Sequence, residues 1–297
     1  AGWLAYSCQK LSPVSLYALA CSVGVLAGVT DILLFKLVPE TENIRFPQAN
    51  IFREVLEPFR HHQYRSFLAY ICCFNFSVML GASFMQLYVL KVMKVPLWKT
   101  TLIWSTTGLG GALVARAWGW MTDRHGHRPV LTFCTSLKPG VTLTFMLVSR
   151  RWVALVLPIV FFFDNMLNSG NAIANNGYML KMSPRKNRST FVAAVTALTG
   201  IFGGIGAMAG GFLLRHTSNF QLFLLGRTWN NYQLLFFISF VCRLLCIPLA
   251  AAIHEPSSAS PSTVINYLMG QWPMRMLMFP VGLYRRFFGD EERFTGG

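Results

Sequence analysis

Asp164, Asn168, Asn171 and Asn175 follow one another at steps of four, three and four residues inside an otherwise apolar stretch. An α-helix turns once every 3.6 residues, so the four share one face. Asn165, Ser169 and Asn176 widen the stripe. Carboxamides and a carboxylate find no partners among hydrocarbon chains. The stripe therefore has two readings: it lines a water-filled, substrate-binding cavity, or it hydrogen-bonds to other polar helices. A carboxylate that loads from water on one side and releases to the other carries a proton, and Asp164 is the candidate for that chemistry. Lys138 and Arg243 fall near the middles of two further apolar stretches. Charges at such depth are expected to form a buried ion pair, because an isolated one is expensive. Arg243 is the expected partner of Asp164, with a static helix lock as the alternative to a working role. A sparser polar face holds Asn75 and Gln86, with Met79 and Ala82 between them. Asp31, near Lys36, reads as structural.

The elements that carry these residues follow from composition. Of 297 residues, 54% are hydrophobic and only 12% charged, against roughly 25% charged in soluble domains. Crossing about 30 Å of hydrocarbon as a helix takes roughly 20 apolar residues. Seven segments qualify: about 13–38, 67–90, 100–120, 130–149, 152–180, 190–214 and 231–253. They are too long, and too uniformly apolar, for strands of a transmembrane barrel. The expected fold class is all-α, a polytopic transmembrane helical bundle of about seven spans.

The net charge of +15 does not gather on one stripe suited to nucleic acid. It alternates between loops. One set of loops holds 15 basic residues, from Lys36 and Arg45 through Arg124, Arg128, Lys181 and Lys186 to Arg293. The other holds seven, among them Lys94, Arg150 and Arg215. The excess marks the first set as cytoplasmic, which puts the C-terminal tail inside an integral protein of the cell membrane. Loop 39–66 carries Ile51, Phe52, Val55, Leu56 and Phe59 at near-helical spacing, an expected interfacial amphipathic helix. After a break from Pro256 to Pro261, the tail (254–297) reads as cytoplasmic or interfacial.

Between the third and fourth spans stand Gly119, Asp123, Arg124, Gly126 and Arg128, spaced G-x-x-x-D-R-x-G-x-R. This pattern resembles the signature loop of major facilitator superfamily transporters. The resemblance implies a half-transporter made of two inverted three-helix repeats. Loop 39–66 would be the central loop, segment 1–38 a short connection plus the sixth helix, and 67–253 helices seven to twelve. Helices preceding the sixth would then be missing N-terminal partners of the same transporter, with a natural half-sized protein as the alternative. In the family the seventh and tenth helices line the cavity, where Asn75, Gln86 and the Asp164 stripe lie. The loop aspartate stabilises one state of the alternating-access cycle by resting on a helix N-terminus of the opposite half, which makes these five loop residues gating candidates.

Glycines repeat in the matching spans: Gly108, Gly110 and Gly111 in the third, and Gly200, Gly203, Gly204, Gly206, Gly210 and Gly211 in the sixth. Small residues let helix backbones approach inside lipid. Gly203, Gly206 and Gly210 are the helix-packing candidates, either along the seam between halves or within one half.

Other chemistry is thin. Six of the seven cysteines lie in spans without companions, and no histidine pair has metal-closing spacing, so no metal or cofactor is expected. No phosphate-binding loop or catalytic constellation is legible, so the chain is not expected to be an enzyme. The expected function is secondary active transport of a small polar solute by alternating access, as symporter or antiporter, with proton coupling open. The alternative is a non-transporting membrane sensor or interaction protein on the same scaffold. The expected partners are the lipid bilayer, that solute and protons, with no nucleic acid.

Overall fold

The computed structural model describes residues 13–34, 59, 62–184, 188–224, 227–256 and 258–259. Among these residues seven helices follow in order: α1 (Pro13–Leu34), α2 (His62–Lys91), α3 (Leu97–His125), α4 (His127–Leu147), α5 (Val153–Met182), α6 (Arg188–His216) and α7 (Asn231–Ala251). A two-stranded antiparallel hairpin, β1 (Gln221–Leu224) and β2 (Arg227–Asn230), joins α6 to α7. The connection 1–12, almost all of the amphipathic segment 51–59, Lys36, Lys186 and the tail beyond Ala259 lie outside the described residues.

The protein is an all-α membrane bundle. Helices are the natural spanning element because each satisfies its backbone hydrogen bonds internally, where lipid offers none. Among the described residues five helices are long and apolar enough to cross a membrane: α2 from Tyr64, α4, α5, α6 and α7. α1 contributes a shorter apolar stretch, Cys21–Leu34. α3 has the length, but hydroxyl residues and glycines, from Thr100 to Gly111, dilute its hydropathy. Several ends fall outside the expected spans. α3 continues through Gly119, Asp123 and Arg124 to His125, and α4 starts at His127, so the expected loop shrinks to Gly126. Gly126 has φ of 93°, a conformation side chains resist. Local hydrogen bonds set the start of α7: Asn230 accepts from the N–H of Tyr232 and Gln233, and Gln233 accepts from Asn230.

The contacts repeat under one exchange, α2 with α5, α3 with α6 and α4 with α7. The most extensive pair, α3 on α5, maps onto the next, α6 on α2; α4 on α5 maps onto α7 on α2; and α4 on α7 maps onto itself. This is the packing of two three-helix repeats. Close approach on α6 comes from its small residues. A Cβ on Gly206 would stand 2.5 Å from the Phe76 carbonyl of α2, one on Gly210 would meet the Leu80 carbonyl and Phe84, and one on Gly203 would press on Met79. Gly200 and Gly204 face open space. Gly110 and Gly111 receive the Phe162 carbonyl and Asn165 of α5 in the same way.

Two apolar clusters fill the interior. One gathers Tyr64, Phe67, Trp118, Leu131, Cys134, Tyr178 and Phe191 with their neighbours. The other gathers Tyr88, Phe145, Leu157, Phe161 and Phe236 with theirs. On α4, α5 and α7 the switch from one cluster to the other falls at a charge: Lys138, Asp164 and Arg243. On α2 it falls at the buried Ser77, whose carbonyl accepts from the Ser239 hydroxyl of α7 at 2.7 Å.

Candidate functional site

The gap between the clusters holds the chemistry. Lys138 is the twelfth residue of α4 and Arg243 the thirteenth of α7, two helices of 21 residues that exchange under the repeat. Each is 2% exposed. Lys138 Nζ donates to Asp164 Oδ1 at 3.1 Å and also to Asn168 Oδ1. Asn168 Nδ2 closes the triangle by donating to Asp164 Oδ2 at 3.0 Å. The Asp164 side chain keeps 20% of its surface, and Asn168 is exposed. The buried ammonium is thus reached from outside through a carboxylate and an amide.

The partner of Asp164 differs from expectation: Lys138 holds it, not Arg243. α4 packs on both α5 and α7, whereas α7 packs chiefly against α4 and α2. Arg243 therefore meets backbone. Its Nη1 donates to the Lys138 carbonyl at 3.5 Å and its Nη2 to the Val78 carbonyl at 3.3 Å, while Nε finds no acceptor among the described residues. Pro139, next to Lys138, removes one backbone donor from α4 and loosens the ladder at this depth.

The asparagine stripe divides. Asn168 and Asn176 are exposed and Asn175 is partly so, but Asn171 is buried. Asn171 Nδ2 donates to the Tyr70 hydroxyl of α2 at 3.1 Å, and that hydroxyl pairs with Thr135 of α4 at 2.7 Å. Asn175 donates to Asn171 Oδ1. Asn171 thus meets another helix, where Tyr70 supplies a partner that lipid lacks. On α2, Asn75 turns back to the Ile71 carbonyl at 2.8 Å. Gln86 is exposed.

The residues of the G-x-x-x-D-R-x-G-x-R motif also separate. Asp123 and Arg124 are exposed at the end of α3, Arg124 lying over the Trp120 ring at 5.4 Å. A Cβ on Gly119 would meet nothing, whereas one on Gly126 would stand 2.8 Å from Ser258. Arg128 reaches the Ala251 carbonyl at the end of α7 at 2.6 Å. The organising group of this corner is Glu255, which the sequence reading passed over. Glu255 is buried and accepts from the backbone N–H of His127 and Arg128 at 2.9 and 2.8 Å, capping the N-terminus of α4. Its other oxygen pairs with His127 Nδ1 at 2.9 Å and Lys181 Nζ at 2.8 Å. Burial opposes ionisation of Glu255, but the hydrogen bonds from His127, Lys181 and the Arg128 backbone outweigh it and hold the carboxyl down at about 2. A lone acid directly after the last span, opposite a basic turn, was the available signal.

Comparison with known proteins gives a family. The pattern of the Major Facilitator Superfamily matches residues 101–266, more than half of the chain. A Yersinia enterocolitica protein named for multidrug resistance, MdtD, is 30% identical over 146 residues, which cover 49% of this chain and 30% of that protein. The chain thus aligns with under a third of that relative's length. No solved structure matches.

Proposed function

Since the chain belongs to the Major Facilitator Superfamily, we propose that α2–α7 form one half of a secondary transporter that moves a small polar solute by alternating access. The half rocks against a second bundle about a midplane site, and that site is the Lys138–Asp164–Asn168 triangle. One observation supports this above the rest: an ion pair stands at the middle of two membrane helices with its carboxylate and amide still open. A purely structural pair would be sealed, because hydrocarbon leaves an open polar group unsatisfied. The exposed face of Asn168, Ala172 and Asn176, with Asn165 and Ser169 beside it, then lines the solute path. Asn175 and Asn171 back it, and Asn75 and Gln86 are the candidates from α2 for the same path. Proton movement through the triangle couples the cycle to the membrane potential and pH gradient. Gly119, Asp123, Arg124, Gly126 and Arg128 gate it at the face that the basic residues mark as cytoplasmic.

The test is solute flux by the full-length protein in reconstituted vesicles. Radiolabelled sugars, amino acids, dicarboxylates and a panel of drugs are offered with and without a pH gradient, the drugs because of the Yersinia relative's name. Accumulation of one class, abolished by Asp164→Asn, is the expected result. Absence of flux in every class, or accumulation unaltered by Asp164→Asn, overturns the reading.

A further inference from the structure

Lys138, Asp164 and Arg243 set two positive charges against one negative in the gap between the apolar clusters. We propose that the group which releases and regains a proton there is Lys138, while Asp164 stays ionised as its fixed counter-charge. The purpose of this exchange rests on the transport reading, but the charge argument does not.

Arginine keeps its proton under all ordinary conditions, so Arg243 contributes a constant positive charge. Protonating Asp164 would leave the group at +2, full ionisation leaves it at +1, and a neutral Lys138 leaves it at zero. Uncompensated charge is most expensive where the dielectric is low, so the neutral lysine gives the least costly state and the protonated aspartate the most costly. Exposure agrees: the Lys138 side chain is 3% exposed against 20% for Asp164, so water solvates the carboxylate rather than the ammonium.

Hydrogen bonding selects the same group. Asp164 Oδ1 faces the Lys138 ammonium and Oδ2 faces the Asn168 amide, both of them donors. A proton on either oxygen would point at a donor and leave two donors competing. A neutral Lys138 amine still has two N–H groups, one for Asp164 Oδ1 and one for Asn168 Oδ1. When it releases its proton, one Nζ–H bond breaks, the electron pair stays on nitrogen, and the proton leaves on water at the open Asn168 edge.

The surrounding groups leave no competitor among the described residues. α5 presents Asp164, α7 presents Arg243, and α4 itself presents the buried thiol of Cys134 one turn away. α2 presents Tyr70, whose hydroxyl is held by Thr135 and Asn171. The charges of α3, Lys99, Arg116, Asp123 and Arg124, are all exposed, and none of them forms a hydrogen bond or ion pair with the triangle's three residues.

The experiment uses the full-length protein in nanodiscs, labelled with 13C at lysine Cε and aspartate Cγ, and follows both signals from about pH 5 to about pH 9. Ordinary lysines stay charged across this window, since they titrate near 10.4. The Lys138 signal is identified by its loss in Lys138→Arg or in Lys138→Met, whichever variant folds. The Asp164 signal is read in the unaltered chain and identified by Asp164→Asn. The expected result is a Lys138 signal that moves within the window while Asp164 stays at its ionised shift. A Lys138 signal that remains charged throughout, or an Asp164 signal that moves, overturns the proposal. No solute is needed, so a failed flux screen with a titrating Lys138 sinks only the transport reading, and flux with a permanently charged Lys138 sinks only this one.

Discussion

Lys138 and Asp164 each make the other tolerable. Removing the carboxylate leaves a dry ammonium without its anion, and removing the ammonium leaves a carboxylate facing only Asn168. Asp164→Asn and Lys138→Met are each expected to lower the thermal midpoint in detergent, and the double variant to recover much of the loss. The coupling energy should be about 1–3 kcal/mol; additive effects would show that the two do not act as a pair. Glu255 makes a second residue-level prediction. Its carboxyl ionises at about 2 in the fold, below the ordinary 4.5. A depressed carboxylate contributes fully above its unfolded value and loses that contribution as pH falls through its folded one. The joint between α4 and the end of α7 should therefore loosen between about pH 4.5 and pH 2, by on the order of 3 kcal/mol. Glu255→Gln should show that lower stability already at neutral pH and a flatter acid profile, read by thermal unfolding across pH.

At the scale of the element, α6 separates packing glycines from open ones. Gly206→Leu should drive side-chain atoms into the Phe76 carbonyl and detach α6 from α2, whereas Gly204→Leu enters open space. Overpacking of this kind costs about 1–3 kcal/mol or more. The check is monodispersity and melting of the two variants side by side; equal behaviour would mean that α6 does not pack on α2 through this face. The helices themselves were legible because length and apolarity are properties of a segment alone. Their ends were less so. The Gly119–Arg128 stretch looked like a loop by its charges, yet charged residues at an aqueous boundary continue a helix readily, and only Gly126 breaks it. The hairpin between α6 and α7 gave no clear period over its two four-residue strands and read as a plain loop.

Across the whole molecule, the distribution of basic residues argues the orientation. If the 15-residue basic set faces the cytoplasm, Asn219 before the hairpin lies outside and His254 after α7 lies inside. Both are exposed. Asn219→Cys should react with a membrane-impermeant maleimide on intact cells, and His254→Cys only after permeabilisation; the reverse pattern would invert the topology. The two repeats explain how charged residues of different helices come together. The exchange that carries α4 onto α7 brings their central cations to equivalent positions, the twelfth and thirteenth residues of two 21-residue helices.

Composition and periodicity by themselves determined that this chain is a membrane bundle, where its helices run, and that Asp164, Lys138 and Arg243 lie deep within them, because burial in lipid restricts what each segment can contain. Only the tertiary structure decided that Asp164 takes Lys138 rather than Arg243, that Asn171 is sealed by Tyr70 while Asn168 stays open, and that Glu255 caps α4. A periodic pattern says which face of a helix is polar. Which neighbour that face meets depends on contacts between residues tens to more than a hundred positions apart, and no single segment encodes them.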